Sequence, residues 1–597
     1  MEKIQQIILK QKLQQMANGN QLAEAETFAR QLLQQLPKDL EIWFALGQIQ
    51  ANLGKSEQAL YSFMKSVQSK SAVFAPGLSN IAEICIQLEK FEDGLTASKA
   101  LSEEDSTSAL AFYQCGYCYW RLRKVSEAES YYAQAIALEP DNNAYMLALA
   151  EVYAFTGRID RSLENLDKIK SSSGNQDDSV SIKHIMYSNY SDQLSEDEVS
   201  SRHAEFGAEL EARYADSPEL KRVAKPDKKI RIGYVSPDFR RHSVSYFFLP
   251  IIRGFDRDRF EVYCYSDVVN SDSITQSISE LSTKWRDTTS LSNSEMFAQI
   301  RKDEIDILVD LVSYTENRCR LKVFARKAAP IQVSYLGYPN TTGLGKMDYR
   351  LVDGISDPQG ESDSLYTEKL YRLPNSFLCF STDDNCPNVS PLPALENETI
   401  VFGSFNSYLK ITDRTLALWS KILKRVDNAK LYIKAEIFAD QSQIEACAIR
   451  CQSLGIDRER LIIKCQNPSR NSHLSEYHNV DIHLDSFPYN GTTTTMEAMW
   501  MGVPTVTLAG NSHRSRVGAS ILTNAGMEDY VASDESDYVE IAASKASDLK
   551  RLSETRLGLR ERLSASVLMN ESKFVASLEG FFNEVYDSYI DGNNRTK

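Results

Sequence analysis

Residues 485–510 read DSFPYNGTTTTMEAMWMGVPTVTLAG, in which a Pro488-Tyr489-Asn490-Gly491 turn runs straight into four threonines, Thr492 to Thr495. Threonine is a poor helix former, because its branched β-carbon loses rotamer freedom against the preceding turn. The residues that follow nevertheless have the look of a helix start. The conflict resolves if the threonines form the first helical turn, where backbone N–H groups have no intrahelical acceptor and the helix dipole is positive. Such a turn suits an anion, above all a diphosphate. Threonine is an acceptable N-cap and adds hydroxyl donors of its own. This reading predicts a strand ending at Phe487 and a helix beginning near Thr492. Tyr489, Gly491, Thr492, Thr493 and Thr494 then form an anion cradle, and Glu497, one turn on, is placed to accept from ribose hydroxyls. The pattern is not a P-loop, since no Gly-Lys-Ser/Thr follows. Plain capping without a ligand would explain a single threonine more readily than four after a glycine turn.

A cradle of this kind needs a strand in front of it and a sheet around it. The segments KIRIGYVSPDF, FEVYCYSD, IDILVDLVSY and PIQVSYLGYP read as strands separated by helical patterns, and ETIVFGSFN, AKLYIKAE, RLIIKCQ, VDIHLDSF and PTVTLAG repeat the theme. Continuously apolar strands alternating with helices predict parallel sheets covered on both faces. Two such blocks predict two doubly wound domains with a cleft between them. In open parallel sheets, ligands bind where strands run into helices at their carboxyl ends. Asp238, Arg241 and His242 stand in such a turn, as do the stretch NTTGLGKMDY and Lys410, which lies just before a helical pattern.

The first third follows a different grammar. Trp43, Leu78, Phe112 and Met146 recur at intervals of 35, 34 and 34. Three and four positions beyond each come Leu46-Gly47, Ile81-Ala82, Cys115-Gly116 and Leu149-Ala150. Sixteen beyond come Ala59, Gly94, Ala128 and Ser162, and four later Phe63, Ser98, Tyr132 and Leu166. A 34-residue period with small residues at two crossing points resembles the tetratricopeptide repeat, a helix-turn-helix unit that stacks into a solenoid. About four and a half copies fit over residues 1–176. Such a solenoid presents a concave surface to peptide or protein partners and does no chemistry itself. The polar break KSSSGNQDDSVS, a polar helical segment, and the basic, proline-containing SPELKRVAKPDKK then separate it from the strands.

Composition limits the possibilities further. The chain has 597 residues, 42% hydrophobic and 25% charged, which fits three to four soluble globular domains. A net charge of −15 argues against a nucleic acid as the main ligand, since a polyanion needs a basic footprint. The first residues lack the apolar core of a signal peptide, and no run is long and apolar enough for membrane insertion. Ten scattered cysteines then read as reduced thiols of a cytoplasmic protein. Cys115 and Cys118, and Cys447 and Cys451, fall in helical patterns without a second ligand pair, and His473, His478 and His483 share no single face. No metal is expected.

The repeat array joined to DFRRHSVSYF, APIQVSYLGYPNTTGL, FGSFNSYLKIT and the threonine turn resembles the O-GlcNAc transferase and SPINDLY family of protein glycosyltransferases. The resemblance spans nearly the whole chain. It implies an α-solenoid followed by an α/β GT-B transferase of two Rossmann-like domains. The divisions expected are a solenoid at 1–176, a helical linker at 177–228, an N-terminal catalytic domain at 229–395 and a C-terminal nucleotide-sugar-binding domain at 396–597. The implied reaction is inverting transfer of a sugar from a nucleotide-sugar donor to Ser/Thr of protein acceptors, with no cofactor and no metal. Lys410 matches the family lysine at the donor diphosphate, and Thr493 and Thr494 match its phosphate-binding threonines. Glu497 stands at a ribose-side acidic position and His473 at a histidine of the nucleotide pocket, with Arg470 where the animal enzyme has a lysine. His242 matches a histidine considered as the base, whereas another animal histidine is replaced by Asp306, so no role passes to that position. The short array suits a bacterial member, and arrays of this family can form homodimers. UDP-GlcNAc is the favoured donor and GDP-fucose the alternative. A scaffold with an inactive transferase fold and a two-domain sugar-nucleotide epimerase are the readings of other classes.

Overall fold

A computed structural model of the chain describes residues 3–19, 21–173, 178–217, 228–315, 319–382, 385–467 and 469–595. The basic stretch 218–227 and residues 174–177 of the polar break lie outside them. The chain divides into two compact units, the first built of Met1–Tyr153 with Glu164–Ser172 and Ala439–Gln443, the second of Ala154–Leu163, Ser173–Phe438 and Ile444–Lys597.

The repeat region consists of helices paired in sequence, beginning with Lys3–Asn18 and Leu22–Gln35, then Leu40–Asn52 and Ser56–Ser66. Phe74–Gln87 and Phe91–Glu104, Ala109–Arg121 and Val125–Leu138, and Asn143–Phe155 and Ile159–Ser173 complete the series. The first copy is therefore a full helix pair rather than the half copy expected. Its leading helix escaped the sequence pattern because it buries little: Leu13 is core, while Ile4, Ile7 and Ile8 are exposed.

The small residues of the repeat have a steric cause. A Cβ on Gly47 would stand 2.8 Å from the Phe63 ring, and one on Gly116 would stand 2.6 Å from the Tyr132 ring. Each aromatic ring sits sixteen residues after its glycine, on the partner helix of the same pair, and occupies the space a side chain would need. The turns carry a second periodic mark. Gly54, Glu89, Arg123 and Gly157 all have positive φ, the left-handed conformation that ends a helix and reverses the chain.

The second unit holds two parallel sheets. In the first, β1 (Ile230–Ser236), β2 (Phe260–Ser266), β3 (Lys284–Asp287), β4 (Ile307–Asp310), β5 (Ile331–Ser334), β6 (Tyr349–Asp353) and β7 (Lys369–Leu373) lie in the order β3-β2-β1-β4-β5-β6-β7. In the second, β8 (Ile400–Ser404), β9 (Ala429–Ala435), β10 (Leu461–Cys465), β11 (Ile482–Leu484), β12 (Thr505–Leu508) and β13 (Val531–Ala532) lie in the order β10-β9-β8-β11-β12-β13. Both repeat the doubly wound order in which the direction of strand addition reverses beside the first strand, between the parallel neighbours β1 and β4 and between β8 and β11. The expected apolar strands are present. Missing from the sequence reading were β3, β6, β7 and β13, which are short or carry charges that interrupt an apolar run, such as Lys284-Trp285-Arg286-Asp287.

The loop after β5 differs from expectation. NTTGLGKMDY leads into β6, not into a helix, and Thr341 and Thr342 bury their hydroxyls against the Glu368 carboxylate. Helix Glu196–Ala212 crosses this loop so closely that a Cβ on Gly207 would lie 2.0 Å from the Gly343 carbonyl oxygen. His203 and Asn189 reach the Tyr338 hydroxyl at 2.7 Å each. The helices of the stretch set apart as a linker thus pack on the first sheet's loop. The last helix, Glu571–Arg595, also returns to that sheet, with the rings of Phe581 and Phe582 packing against Tyr371, Tyr349, Phe255 and Phe260. Among the described residues no helix is long and apolar enough to cross a membrane.

Candidate functional site

The threonine turn is built around a carboxylate. Strand β11 stops at Leu484, three residues earlier than expected, because Asp485 draws the following chain back onto itself. Its side chain accepts from the Gly491 N–H at 2.7 Å, the Ser486 N–H at 2.9 Å, the Thr507 hydroxyl at 2.8 Å and the Asn406 amide at 3.2 Å. Only glycine fits at 491, since a Cβ there would stand 2.6 Å from Asn406 Oδ1. The Gly491 N–H is therefore spent on Asp485 and does not face a ligand. Helix Thr493–Trp500 starts immediately afterwards, with Thr492 as N-cap and no side-chain cap. Its first-turn N–H groups have no intrahelical acceptor. The four threonines fall into two sets. Thr492, Thr493 and Thr494 are half-buried, whereas Thr495 is buried and donates to the Gly491 carbonyl at 3.2 Å.

Lys410 lies at the carboxyl end of β8, in the short turn Tyr408–Lys410. Its Nζ donates to the Asn490 carbonyl at 2.8 Å and sits 3.8 Å from the centroid of the Tyr489 ring. Tyr489 also stacks on Tyr190, with centroids 5.0 Å apart. Burial pulls the Lys410 ammonium down to about 8, against the opposing pull of Asp485. Burial likewise pushes the Asp485 carboxyl up to about 6, against its hydrogen bonds and Lys410.

A second cationic cluster forms where β9 meets helix Arg470–Ser475. The Lys434 ammonium donates to His473 Nδ1 at 2.9 Å and to the His473 carbonyl at 3.1 Å. An ammonium can only donate, so Nδ1 is the acceptor and His473 carries its proton on Nε2. That nitrogen donates to Glu497 at 3.2 Å, and Arg470 donates to the other Glu497 oxygen at 2.7 Å. Glu497, expected to face a ribose, is thus first an anchor for two basic side chains. Arg470 also lies 3.8 Å over the Tyr246 ring and Lys434 4.1 Å over the Phe405 ring. Burial pulls the Lys434 ammonium down to about 8.

Opposite these groups, at the carboxyl end of β1, His242 presents a side chain 31% exposed. Its Nδ1 is 3.3 Å from the Val244 N–H and 3.5 Å from Asp238. Asp238 is buried, neither of its carboxylate oxygens has a hydrogen-bond partner among the described residues, Arg240 stands 3.5 Å away, and burial pushes its carboxyl up to about 6 against the pull of Arg240.

These residues surround two adjoining cavities. The first, about 670 Å³, is lined by His242, Arg470, His473, Thr493, Thr494 and Glu497 among others. The second, about 380 Å³, is lined by His242, Lys410, Tyr489, Thr492, Thr493 and Thr494, with His513 and Phe377 on its wall. Among the candidate site residues singled out from sequence, Gly491, Asp238 and Asp306 line neither cavity. Asp306 stands elsewhere, accepting from Lys228 at 2.7 Å and from the Arg231 N–H at 2.9 Å. Asn406, Asp485, Lys434, Tyr246 and His513 were not singled out. Lys434 had a signal, a lysine inside an apolar strand, and Asp485 another, an acid directly after one.

The sequence matches the model of glycosyl transferase family 41 over residues 167–386 and 392–578. Tetratricopeptide repeat models match residues 40–72 and 116–176. A tomato (Solanum lycopersicum) protein named "Probable UDP-N-acetylglucosamine--peptide N-acetylglucosaminyltransferase SPINDLY" is 37% identical over 413 residues, 68% of this chain and 44% of the relative. An Arabidopsis thaliana protein with the same description but the name SEC is 28% identical over 375 residues, 61% of this chain and 38% of the relative. The chain therefore spans less than half the length of these curated relatives. A solved structure of a Thermobaculum terrenum O-GlcNAc transferase, a lysine-to-methionine mutant, superposes with a TM-score of 0.79 at 30% identity, covering 88% of this chain and all of that one.

Proposed function

Because this chain belongs to glycosyl transferase family 41, we propose that it is an inverting, metal-independent protein O-glycosyltransferase, moving GlcNAc from UDP-GlcNAc to Ser/Thr hydroxyls of protein acceptors. The observation that carries this reading is the placement of Lys410 beside the uncapped helix start at Thr492 to Thr494, on the wall of one cavity. Glycosyl transfer passes through an oxocarbenium-like state while negative charge builds on the departing diphosphate. Preorganised donors aimed at that charge are commonly the largest catalytic contribution. Lys410 supplies a charge, and the threonine N–H and hydroxyl groups supply dipoles. In this reading, Arg470, His473 and Lys434 hold the nucleoside end in the larger cavity. His242, which lines both cavities, takes the acceptor proton directly or through water. The names of the tomato, Arabidopsis and Thermobaculum proteins support GlcNAc as the sugar. The repeat array is the surface proposed to bring in protein acceptors.

Thermal unfolding of the full chain with UDP, GDP, UDP-GlcNAc and GDP-fucose, repeated with Lys410→Ala, tests this. A ligand at a hundred times its dissociation constant stabilises by about 2.7 kcal/mol. Stabilisation by the uridine ligands alone, lost in the variant, is the expected result. Stabilisation by the guanosine ligands alone would replace the donor with GDP-fucose. Binding of none of the four would remove the transferase reading and leave a scaffold.

A further inference from the structure

We propose that His513 is a donor-contacting residue that selects the sugar: Asp357 fixes its ring so that Nε2 accepts from a hydroxyl or amide N–H substituent of the sugar in the smaller cavity. The inference rests on the transferase reading above and concerns a residue outside the diphosphate and nucleoside contacts.

His513 opens the short turn His513–Ser515 that follows β12, and its ring lines the cavity that Lys410 and Tyr489 also line. The residue is buried, and Nδ1 lies 2.6 Å from Asp357 Oδ2. Asp357 is itself buried and accepts from the Tyr366 hydroxyl at 2.9 Å and the Ser356 hydroxyl at 3.0 Å. An ionised carboxylate only accepts, so Nδ1 carries a proton and the ring cannot turn over without losing that bond. Among the described residues no protein group hydrogen-bonds Nε2, and Phe377 packs on the ring with centroids 4.8 Å apart, which holds its plane.

A buried carboxylate–imidazole pair is weak evidence for stability, because desolvation consumes much of its attraction. Fixing a polar atom against a cavity is a use that does not depend on net stability. The cavity wall is mixed, with Phe377, Val517 and Leu336 as apolar members beside Thr315, Asn406 and Ser407, and Leu336 is held at φ +70°, a strained conformation for a bulky residue. One fixed nitrogen in a cavity that also offers apolar side chains suits a sugar that bears both a polar edge and a methyl group. An N-acetyl sugar and a 6-deoxy sugar share that chemistry.

The test is titration calorimetry on the full chain, His513→Asn and His513→Ala, with UDP, GDP, UDP-GlcNAc and GDP-fucose. Asparagine keeps an amide donor where Nδ1 stood, preserving the Asp357 bond, and removes Nε2. The expected result is nucleoside diphosphate affinity within about twofold of the parent, and sugar-nucleotide affinity weakened roughly five- to tenfold in both variants, the worth of one hydrogen bond. Which sugar nucleotide loses affinity identifies the sugar. Equal weakening of diphosphate and sugar nucleotide, or full affinity in His513→Asn, overturns the proposal and leaves the ring a packing element. If His513→Ala does not fold, His513→Asn carries the comparison alone. If the parent binds none of the four ligands, the transferase reading falls and this proposal with it.

Discussion

The smaller cavity is flanked by two histidines, each beside an aspartate, and the two pairs are built in opposite ways. Asp357 and His513 are buried 2.6 Å apart, and further donors bind the carboxylate. Burial alone would raise that carboxyl, but His513 overrides it and holds it at about 2. Asp238 and His242 are 3.5 Å apart, the histidine reaches solvent, and among the described residues the aspartate accepts no hydrogen bond. There burial wins, and the carboxyl rises to about 6. The same two residue types thus give a rigid positioning device in one place and a loosely held proton site in the other. The difference lies in how many donors the fold delivers to the carboxylate.

The largest expected effect comes from breaking the tight pair. Asp357→Ala leaves His513 with no acceptor in a buried site and should cost about 3–5 kcal/mol, read from denaturant midpoints at neutral pH. Asp238→Asn, which removes a buried carboxylate that accepts nothing, should change stability by less than about 1 kcal/mol, or raise it. A loss there as large as at Asp357 would erase the contrast.

Next comes the cation on the wall that both histidines share. Lys410→Ala should lower kcat roughly a hundredfold in donor turnover, the worth of one preorganised donor at a developing charge. Because burial brings the ammonium to about 8, kcat/KM should fall as pH rises through that value and Lys410 loses its charge. Lys410→Arg, which stays charged, should abolish this alkaline limb whatever its absolute rate.

The pairs also predict opposite acid behaviour. Asp238 binds its proton more tightly folded than unfolded, so its contribution is present below about pH 4 and is lost as pH climbs through 6. Asp357 binds its proton less tightly folded, so its contribution is present above about pH 4 and is lost as pH falls toward 2. Chemical unfolding across pH 2–7, with each aspartate replaced by asparagine, should flatten one slope and leave the other.

The smallest effect marks the boundary of the comparison. Gly116→Ala places a Cβ 2.6 Å from the Tyr132 ring and should destabilise the repeat region by about 1–3 kcal/mol. Donor affinity should not change, and a loss of donor binding would show that the cavities depend on repeat packing.

Local pattern carried much of the architecture. The 34-residue period was readable because Gly47 and Gly116 must be small wherever Phe63 and Tyr132 cross them, a constraint that repeats with the unit. Strands β1, β2, β4, β5, β8, β9, β11 and β12 were readable because strands buried on both faces are written as apolar runs, and the partly exposed edge strand β10 was readable from its Leu461-Ile462-Ile463 run. The edge strand β3 and the charged β7 were not, because hydrogen bonding to a neighbouring strand leaves no trace in a sequence. The threonine turn, Lys410, His242, Arg470, His473 and Glu497 were also legible, as chemistry-bearing residues placed where strands give way to helices and as matches to family motifs.

Tertiary structure decided what each of these groups touches. Asp485 turned out to hold Gly491, Asn406 and Thr507 together, and Glu497 to hold Arg470 and His473. His513 became a cavity residue only because Asp357, 156 positions away, closes on it. Residue type and local spacing determine which elements form and which side chains can carry charge or a proton. Hydrogen bonds and burial between distant segments decide which of those side chains are fixed, neutralised or left open, because those energies depend on separation in space and not along the chain.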